Sequence, residues 1–488
     1  MLTDMMLDRR ALLIGVAVVA IAGCSGGGAT IGASGGPAPS TATATPGPRA
    51  SAVASPSTVA SPSTVASPSP SVTATSVATT TATPVVTATP VAHATPTATP
   101  AGATPTATPT ATGGGSSATV SMVVVGTKGN EPILSAAPDG TLYIAALSNV
   151  YRSTDTGATW TAVPNPTIAT TVLASDSSIA VDAKNRLYYS FDYPYAGTTA
   201  ACTSDDRGAT WACDNAVAPG GTDRMWIYPA SPTLSFVTTN EGLYQTVFAT
   251  STDGGATYTP TQFTSSVAAP TTGPMVSMNA NSFVLQPVDM HPGLYLYRYL
   301  PGTTTTQLAD AKPTGINGGN ALPSIAMGRD SAVYLVGETP NAAGGLALTV
   351  GRSTDNGGTF KALPPIPQTA TGTATFSWVA AGAPGHIAVV FYQSATSALD
   401  PTTMNVPWSA KLAETYDAGD AFPQWTVTTL EPLTHAGGLC ANAGCTGDSR
   451  YSGDLINVVI DANDHVDATW MDEPTPALKP TIRFSRVH

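Results

Sequence analysis

Three short stretches of the chain gather side chains able to do chemistry. Asp223-Arg224-Met225-Trp226 and Asp448-Ser449-Arg450-Tyr451-Ser452-Gly453-Asp454 each set an arginine beside acids, the second adds a phenol, and Glu131 stands in Gly129-Asn130-Glu131-Pro132. A guanidinium can grip a carboxylate in a planar, two-point fashion, and carboxyl groups or a tyrosine can move protons or attack. Glu131, Asp223, Arg224, Arg450, Tyr451 and Asp454 are therefore the candidate site residues for ligand binding or catalysis. The same spacing suits a plainer arrangement, in which each Asp–Arg pair is a loop ion pair that shapes the start of a strand. His291, His386, His435, His465 and His488 show no metal-ligand spacing, and the Asp461 to Asp464 turn lacks the Gly and terminal Glu of a calcium loop, so no metal or cofactor is expected. Gly32-Ala33-Ser34-Gly35-Gly36 has the form of a nucleophile elbow, but no strand leads into it and no helix follows.

Charged residues make up 10% of the 488, against roughly 25% in ordinary soluble proteins. Gly 46 and Pro 42 make the chain rich in turn formers and poor in helix formers, which argues against a helical bundle. With 19 Lys+Arg against 31 Asp+Glu and a net charge of −12, the chain lacks the basic stripe that a nucleic-acid surface needs.

The elements that must position the candidates begin after a long preamble. Asp8-Arg9-Arg10 precedes an apolar run from Ala11 to Ala22, shorter than the ~20 residues of a membrane-spanning helix and suited to a signal peptide. Ile21-Ala22-Gly23-Cys24 resembles the lipobox of bacterial lipoproteins, which implies lipidation of Cys24, removal of residues 1–23 and a lipid-anchored place on the outer face of the cell membrane. Arg9-Arg10 also resembles a twin-arginine export signal, and the ordinary secretory route fits equally. Residues 24–118 follow the lipidated Cys with almost only Ala, Thr, Ser, Pro, Gly and Val. Such a Pro/Thr/Ala/Ser stalk cannot bury enough apolar area to order itself, and it reads as a disordered tether reaching between about 53 Å as a coil and about 290 Å as polyproline II.

Residues 119–488 carry an internal repeat: Ser153-Thr-Asp155-Thr-Gly157-Ala-Thr-Trp160, Ser204-Asp-Asp206-Arg-Gly208-Ala-Thr-Trp211, Ser251-Thr-Asp253-Gly-Gly255-Ala-Thr-Tyr258 and Ser353-Thr-Asp355-Asn-Gly357-Gly-Thr-Phe360. The last interval is double the first, so a worn copy is expected near 302, and another is read at Thr415-Tyr-Asp417-Ala-Gly419-Asp-Ala-Phe422. This motif resembles the Asp box of sialidases and of the wider BNR-repeat β-propellers. As a hairpin, its Ser hydroxyl and Asp carboxylate would bond loop N–H groups, Gly would supply positive φ, and the aromatic would pack between neighbouring sheets. The resemblance implies that these Asp residues are structural and lie on the face away from an active site.

Between the repeats run pairs of strand-like segments around polar turns: Ile133 to Leu147, Ser178 to Tyr193, Met225 to Thr239, Met275 to Val288, Ile325 to Gly337, Phe376 to Tyr392 and Leu455 to Trp470. Each would be the inner pair of a four-stranded blade, with the Asp box joining the outer two strands. The expected fold is thus all-β, a propeller of seven blades with six as the alternative. Val120 to Val125 would close the ring beside Thr481 to Val487. Sialidases of the resembled family have six blades, so seven is a departure toward looser BNR and photosystem-assembly-type propellers.

Cys202 and Cys213 flank the second box and should face each other across its strands, and Cys440 and Cys445 close a short loop. Both pairs are expected as disulfides of an exported protein.

A sialidase-like site implies an arginine cluster, a Tyr–Glu pair and an acid/base Asp, yet the F/Y-R-I-P motif is absent. Of the ten arginines in residues 119–488, Arg152, Arg207 and Arg352 belong to the boxes and Arg186 and Arg329 to inner turns, and among the other five only Arg224 and Arg450 sit just ahead of an innermost strand. The reading is a cell-surface lipoprotein, monomeric, whose propeller binds glycan or protein ligands outside the membrane. The alternatives are a sialidase-type exo-glycoside hydrolase and an assembly or scaffold factor for an envelope complex.

Overall fold

The computed structural model describes residues 120–167, 176–193, 198–219, 222–241, 245–264, 271–277, 284–289, 293–299, 309–318, 322–439, 456–474 and 480–487. Cys24, the stalk, Cys440, Cys445, Arg450, Tyr451, Asp454 and the worn repeat near 302 lie outside them.

The inner strands read as near-continuous apolar runs because a sheet sandwiched between two others is buried on both faces. Leu142–Ala146 is buried throughout, and Val333–Pro340 over its first six residues. Polar turns end the innermost strands, and their side chains close them: Asp139 accepts from Thr141 N, Asp182 from Lys184 N and Arg186 N, and Asp461 from Asn463 N and His465 N. Seven antiparallel sheets result, so the chain is a seven-bladed β-propeller.

Blade one is Ile133–Ala136, Leu142–Ala146, Asn149–Ser153 and Thr161–Ala162. Blade two runs through Ser177–Val181, Leu187–Tyr193, Thr198–Ser204 and Ala212–Pro219, and blade three through Thr222–Pro229, Ser235–Glu241, Gln245–Ser251 and Thr259–Thr264. In blade four the innermost strand is split into Thr271–Thr272 and Val276–Ser277, ahead of Val284–Asp289, Gly293–Tyr299 and Ala309–Asn317. Blade five is Ser324–Met327, Val333–Pro340, Leu346–Ser353 and Lys361–Ala362, and blade six is Thr373–Ala381, Ile387–Ser394, Val406–Thr415 and Thr426–Gly437. Blade seven takes Asn457–Ile460, Val466–Asp472 and Thr481–Val487 from the end of the chain and Val120–Gly126 from its other side, with Val120 opposite Val487. All seven expected inner pairs form, and the ring closes as the sequence suggests.

Turns inside a blade at its innermost pair share one face with the four repeated hairpins; the crossovers between blades share the other. Each hairpin is built alike. In the first, Ser153 Oγ accepts from Gly157 N at 2.9 Å, and Asp155 accepts from Thr159 N at 2.9 Å and Thr159 Oγ1 at 2.6 Å. The same bonds recur around Asp206, Asp253 and Asp355. The aromatic side chain packs on the preceding blade: Trp160 meets Phe484 edge-on at 5.1 Å, and Trp211 Nε1 donates to Pro164 O. Gly157 is required twice over, by a φ of +89° and because a Cβ there would stand 2.0 Å from the Phe484 ring.

The fifth copy departs from the alignment with Phe422. Asp417 Oδ1 accepts from Gln424 N, seven residues on, where the intact hairpins use a threonine four residues on. The loop is therefore three residues longer, and Trp425 takes the place of the terminal aromatic, packed against the core shared by blades five and six. Phe422 sits in the insertion and is 75% exposed.

Cys202 and Cys213 are register partners on the outer strands of blade two and are disulfide-bonded, as expected from their placement around the hairpin. Ion pairs also tie the hairpin face together. Arg207 pairs with Asp139 of blade one at 2.7 Å, Arg186 with Asp205 at 2.9 Å, and Arg329 of blade five with Asp464 of blade seven at 2.9 Å.

Candidate functional site

Glu131 and Arg224 occupy the same structural position in blades one and three, and Phe376 occupies it in blade six. Glu131 stands two residues ahead of its innermost strand, Arg224 and Phe376 stand within theirs, and the three hold a left-handed φ of 55°, 59° and 56°. Such a conformation is costly for a side-chain-bearing residue and persists where its surroundings impose it. Carboxylates impose it here: Asp176 Oδ2 accepts from Arg224 N at 3.1 Å, and Glu338 Oε1 from Phe376 N at 3.1 Å and Thr375 Oγ1 at 2.7 Å. Glu131 N instead donates to Asn130 Oδ1. The resulting bulges, between Asp223 and Trp226 and between Thr375 and Trp378, turn the two tryptophans inward.

Trp226 and Trp378 meet with ring centroids 5.4 Å apart at an interplanar angle of 47°. Trp226 Nε1 donates to Thr272 O at 2.8 Å, so its polar handle is satisfied. Around this layer large and small residues alternate. Ile133, Trp226 and Trp378 each follow a blade that places Asn457, Ser178 or Ser324 at the same level, and those polar groups accept from Leu134 N, Ile227 N and Val379 N of the following blade.

A cavity of about 290 Å3 lies in the channel, lined among others by Ile133, Ile179, Trp226, Met275, Trp378 and Val458. Its walls are buried near the tryptophans and half-exposed at Ala381, Val459 and Ile460. Among the described residues, exposure along the channel therefore rises toward the hairpin face.

At the crossover ends of blades six and seven, Arg483 binds Asp472 through Nε at 2.8 Å and again through Nη2, with Glu431 Oε2 at 3.8 Å from the same Nε. Trp470 Nε1 donates to Glu431 Oε2 at 2.8 Å. Burial pushes the Glu431 carboxyl above the ordinary carboxylate range and the Asp472 charge adds to it, while Trp470 and Arg483 act the other way. Two carboxylates sharing one cation, one of them held toward its neutral form, is an arrangement able to divide acid and base roles. The sequence reading missed it because Glu431 and Asp472 belong to different blades and carry no local motif.

The candidates are only partly assembled. Glu131 and Arg224 lie at the crossover face, half-buried, two blades apart. Asp223's side chain, Arg450, Tyr451 and Asp454 are outside the description. The carboxylates of the four hairpins are spent on their own loops: hydrogen bonds hold Asp155, Asp206, Asp253 and Asp355 down to about 2, the threonine hydroxyl contributing most in the first three and the threonine N–H in the fourth.

No family model matches the chain, and no curated protein matches it. Among solved structures it is similar to YCF48 bound to a D1 peptide, at 10% identity and TM-score 0.42 over 75% of this chain and 96% of that one. It is likewise similar to a GH74 xyloglucanase from Xanthomonas campestris (16% identity, TM-score 0.45, 75% of this chain and 55% of that one). A third is a PL25 ulvan lyase (10% identity, TM-score 0.46, 75% and 94%). The likeness is one of strand arrangement.

Proposed function

We propose that this chain is an exported, lipid-anchored propeller that binds a glycan or protein ligand outside the membrane on its crossover face, with Arg224 and Glu131 at the rim and Arg450, Tyr451 and Asp454 ahead of the last innermost strand. The observation that supports binding over hydrolysis is the Trp226–Trp378 pair, whose buried rings meet in the channel beneath that face. An exo-hydrolase needs several cations and acids converging on one sugar, whereas a binding surface needs a shaped, partly apolar patch.

The hydrolase reading has one observation of its own, the Glu431–Asp472 pair around Arg483. The deciding experiment incubates the full chain with a fluorogenic sialoside between about pH 5 and 7, beside Arg450→Ala, Tyr451→Phe and Glu431→Gln. The expected result is no turnover by any of them, with retention of the wild-type chain on a glycan or surface-protein array. Turnover that disappears in the variants overturns the binding reading.

A further inference from the structure

Arg352 and Lys361 are register partners on the outer strands of blade five. Like charges directly opposite each other on a ladder oppose folding, and in blade one the same positions hold Arg152 and Thr161. Among the described residues neither cation forms an ion pair, and the polar contact of Arg352 is a long one, Nε to Tyr334 Oη at 3.4 Å. This contrasts with Arg186, Arg207 and Arg329 on the same face, each bound to an aspartate. Local rules broken without compensation mark functional positions.

The two cations border a cavity of about 190 Å3 between the blade-five hairpin and the long loop 415–425 of blade six, together with Thr354, Thr359, Phe360 and Asp420. Two residues past Asp420, the inserted Phe422 holds its ring 75% exposed, whereas the terminal aromatic of the other repeats is buried at Tyr258 and half-buried at Trp160, Trp211 and Phe360.

We propose that this groove binds an anionic saccharide. Arg352 and Lys361 take the carboxylate or sulfate, Thr354 and Asp420 bond ring hydroxyls, and Phe422 stacks on the apolar face of a neighbouring sugar. The cavity is smaller than the ~300 Å3 at which drug-sized sites begin, room for about one ring of a chain. An extended acidic peptide is the poorer fit, because the outer strand of blade five, Lys361–Ala362, is too short an edge for strand addition. The groove lies on the hairpin face, apart from the crossover-face site, so its test and that of the proposed function stand independently.

The test measures binding of the full chain to polygalacturonate, sulfated dextran, neutral dextran and polyglutamate at low and high salt. Binding to polygalacturonate or sulfated dextran is expected, the stronger of the two identifying carboxylate or sulfate as the recognised group. It should weaken with salt, fall about tenfold in Arg352→Ala/Lys361→Ala, and fall severalfold in Phe422→Ala. Gly419→Glu provides a second probe. A Cβ there stands 3.8 Å from Arg352 Nη2, so the new carboxylate should compete for that cation and weaken binding without removing either one. The double variant also loses a like-charge pair, so it should melt no lower than the wild type, which separates lost binding from lost folding. Equal affinity for neutral dextran, tightest binding to polyglutamate, failure to bind either anionic polysaccharide, or unchanged affinity in the folded double variant overturns the proposal.

Discussion

Trp226 and Trp378 come from blades three and six, yet each enters the channel through the same device, a left-handed residue two positions earlier whose N–H is held by a carboxylate. The device converts a strained backbone into a defined side-chain direction. It also explains why Arg224 stands beside a tryptophan: its backbone forms the bulge that turns the ring inward, whatever its guanidinium binds.

Removing one member of this pair should open the channel. Trp378→Ala leaves a void beside Trp226 in a layer where both rings are buried, and losses of about 3–5 kcal/mol are usual for such truncations. Denaturant unfolding measures the loss, and a red shift of the remaining Trp226 emission on exposure to water should accompany it.

Glu338→Gln keeps an acceptor for Phe376 N and Thr375 Oγ1, whereas Glu338→Ala leaves both donors buried without one. The alanine variant should lose about 2 kcal/mol or more relative to glutamine, since each orphaned buried donor costs ~1–3 kcal/mol. Comparing the two variants by thermal melting isolates the acceptor from the charge.

Gly157→Ala meets both a φ of +89° and the Phe484 ring. The expected destabilisation is about 1–3 kcal/mol from backbone strain alone, with overpacking in addition. Gly140→Ala shares the positive φ but has open space around the Cβ, so the difference between the two melting shifts reads the packing contribution.

The four hairpin carboxylates sit near 2 in the folded chain, below their ordinary value of 3.8. A depressed folded-state value means that their stabilisation is present above about pH 4 and is lost as pH falls toward 2. Glu431 is shifted upward, so its contribution has the opposite sense, present below its unfolded value and lost as pH rises through its folded one. Unfolding midpoints of wild type and Asp155→Asn/Asp206→Asn between pH 2 and 7 should converge at the acid end. Midpoints that stay parallel would refute the linkage.

Reducing Cys202–Cys213 releases an 11-residue separation on the outer edge of blade two. Loop-closure entropy for that length predicts a cost of about 3 kcal/mol, measurable as a lower melting temperature of Cys202→Ser/Cys213→Ser.

Much of the fold was legible because it is local. Each hairpin closes by bonds within four residues, as from Thr159 to Asp155, and each inner pair turns on its own Asp, Asn or Gly, so residue spacing alone revealed the blades, the ring closure and the Cys202–Cys213 pairing. The one hairpin read amiss, at Asp417, failed for a reason of the same kind. An insertion moved the partner to Gln424, and Phe422 resembled the aromatic that Trp425 replaces.

The channel and the side-chain clusters were decided by tertiary structure alone. Leu134 N finds Asn457 Oδ1 across 323 positions, Glu431 finds Asp472 and Arg483 across a blade boundary, and Arg352 with Lys361 comes to border the loop of the next blade. A period in the sequence fixes what each blade is. Which side chains meet between blades depends on how seven twisted sheets close around one axis, and that closure brings together residues whose spacing along the chain carries no sign of it.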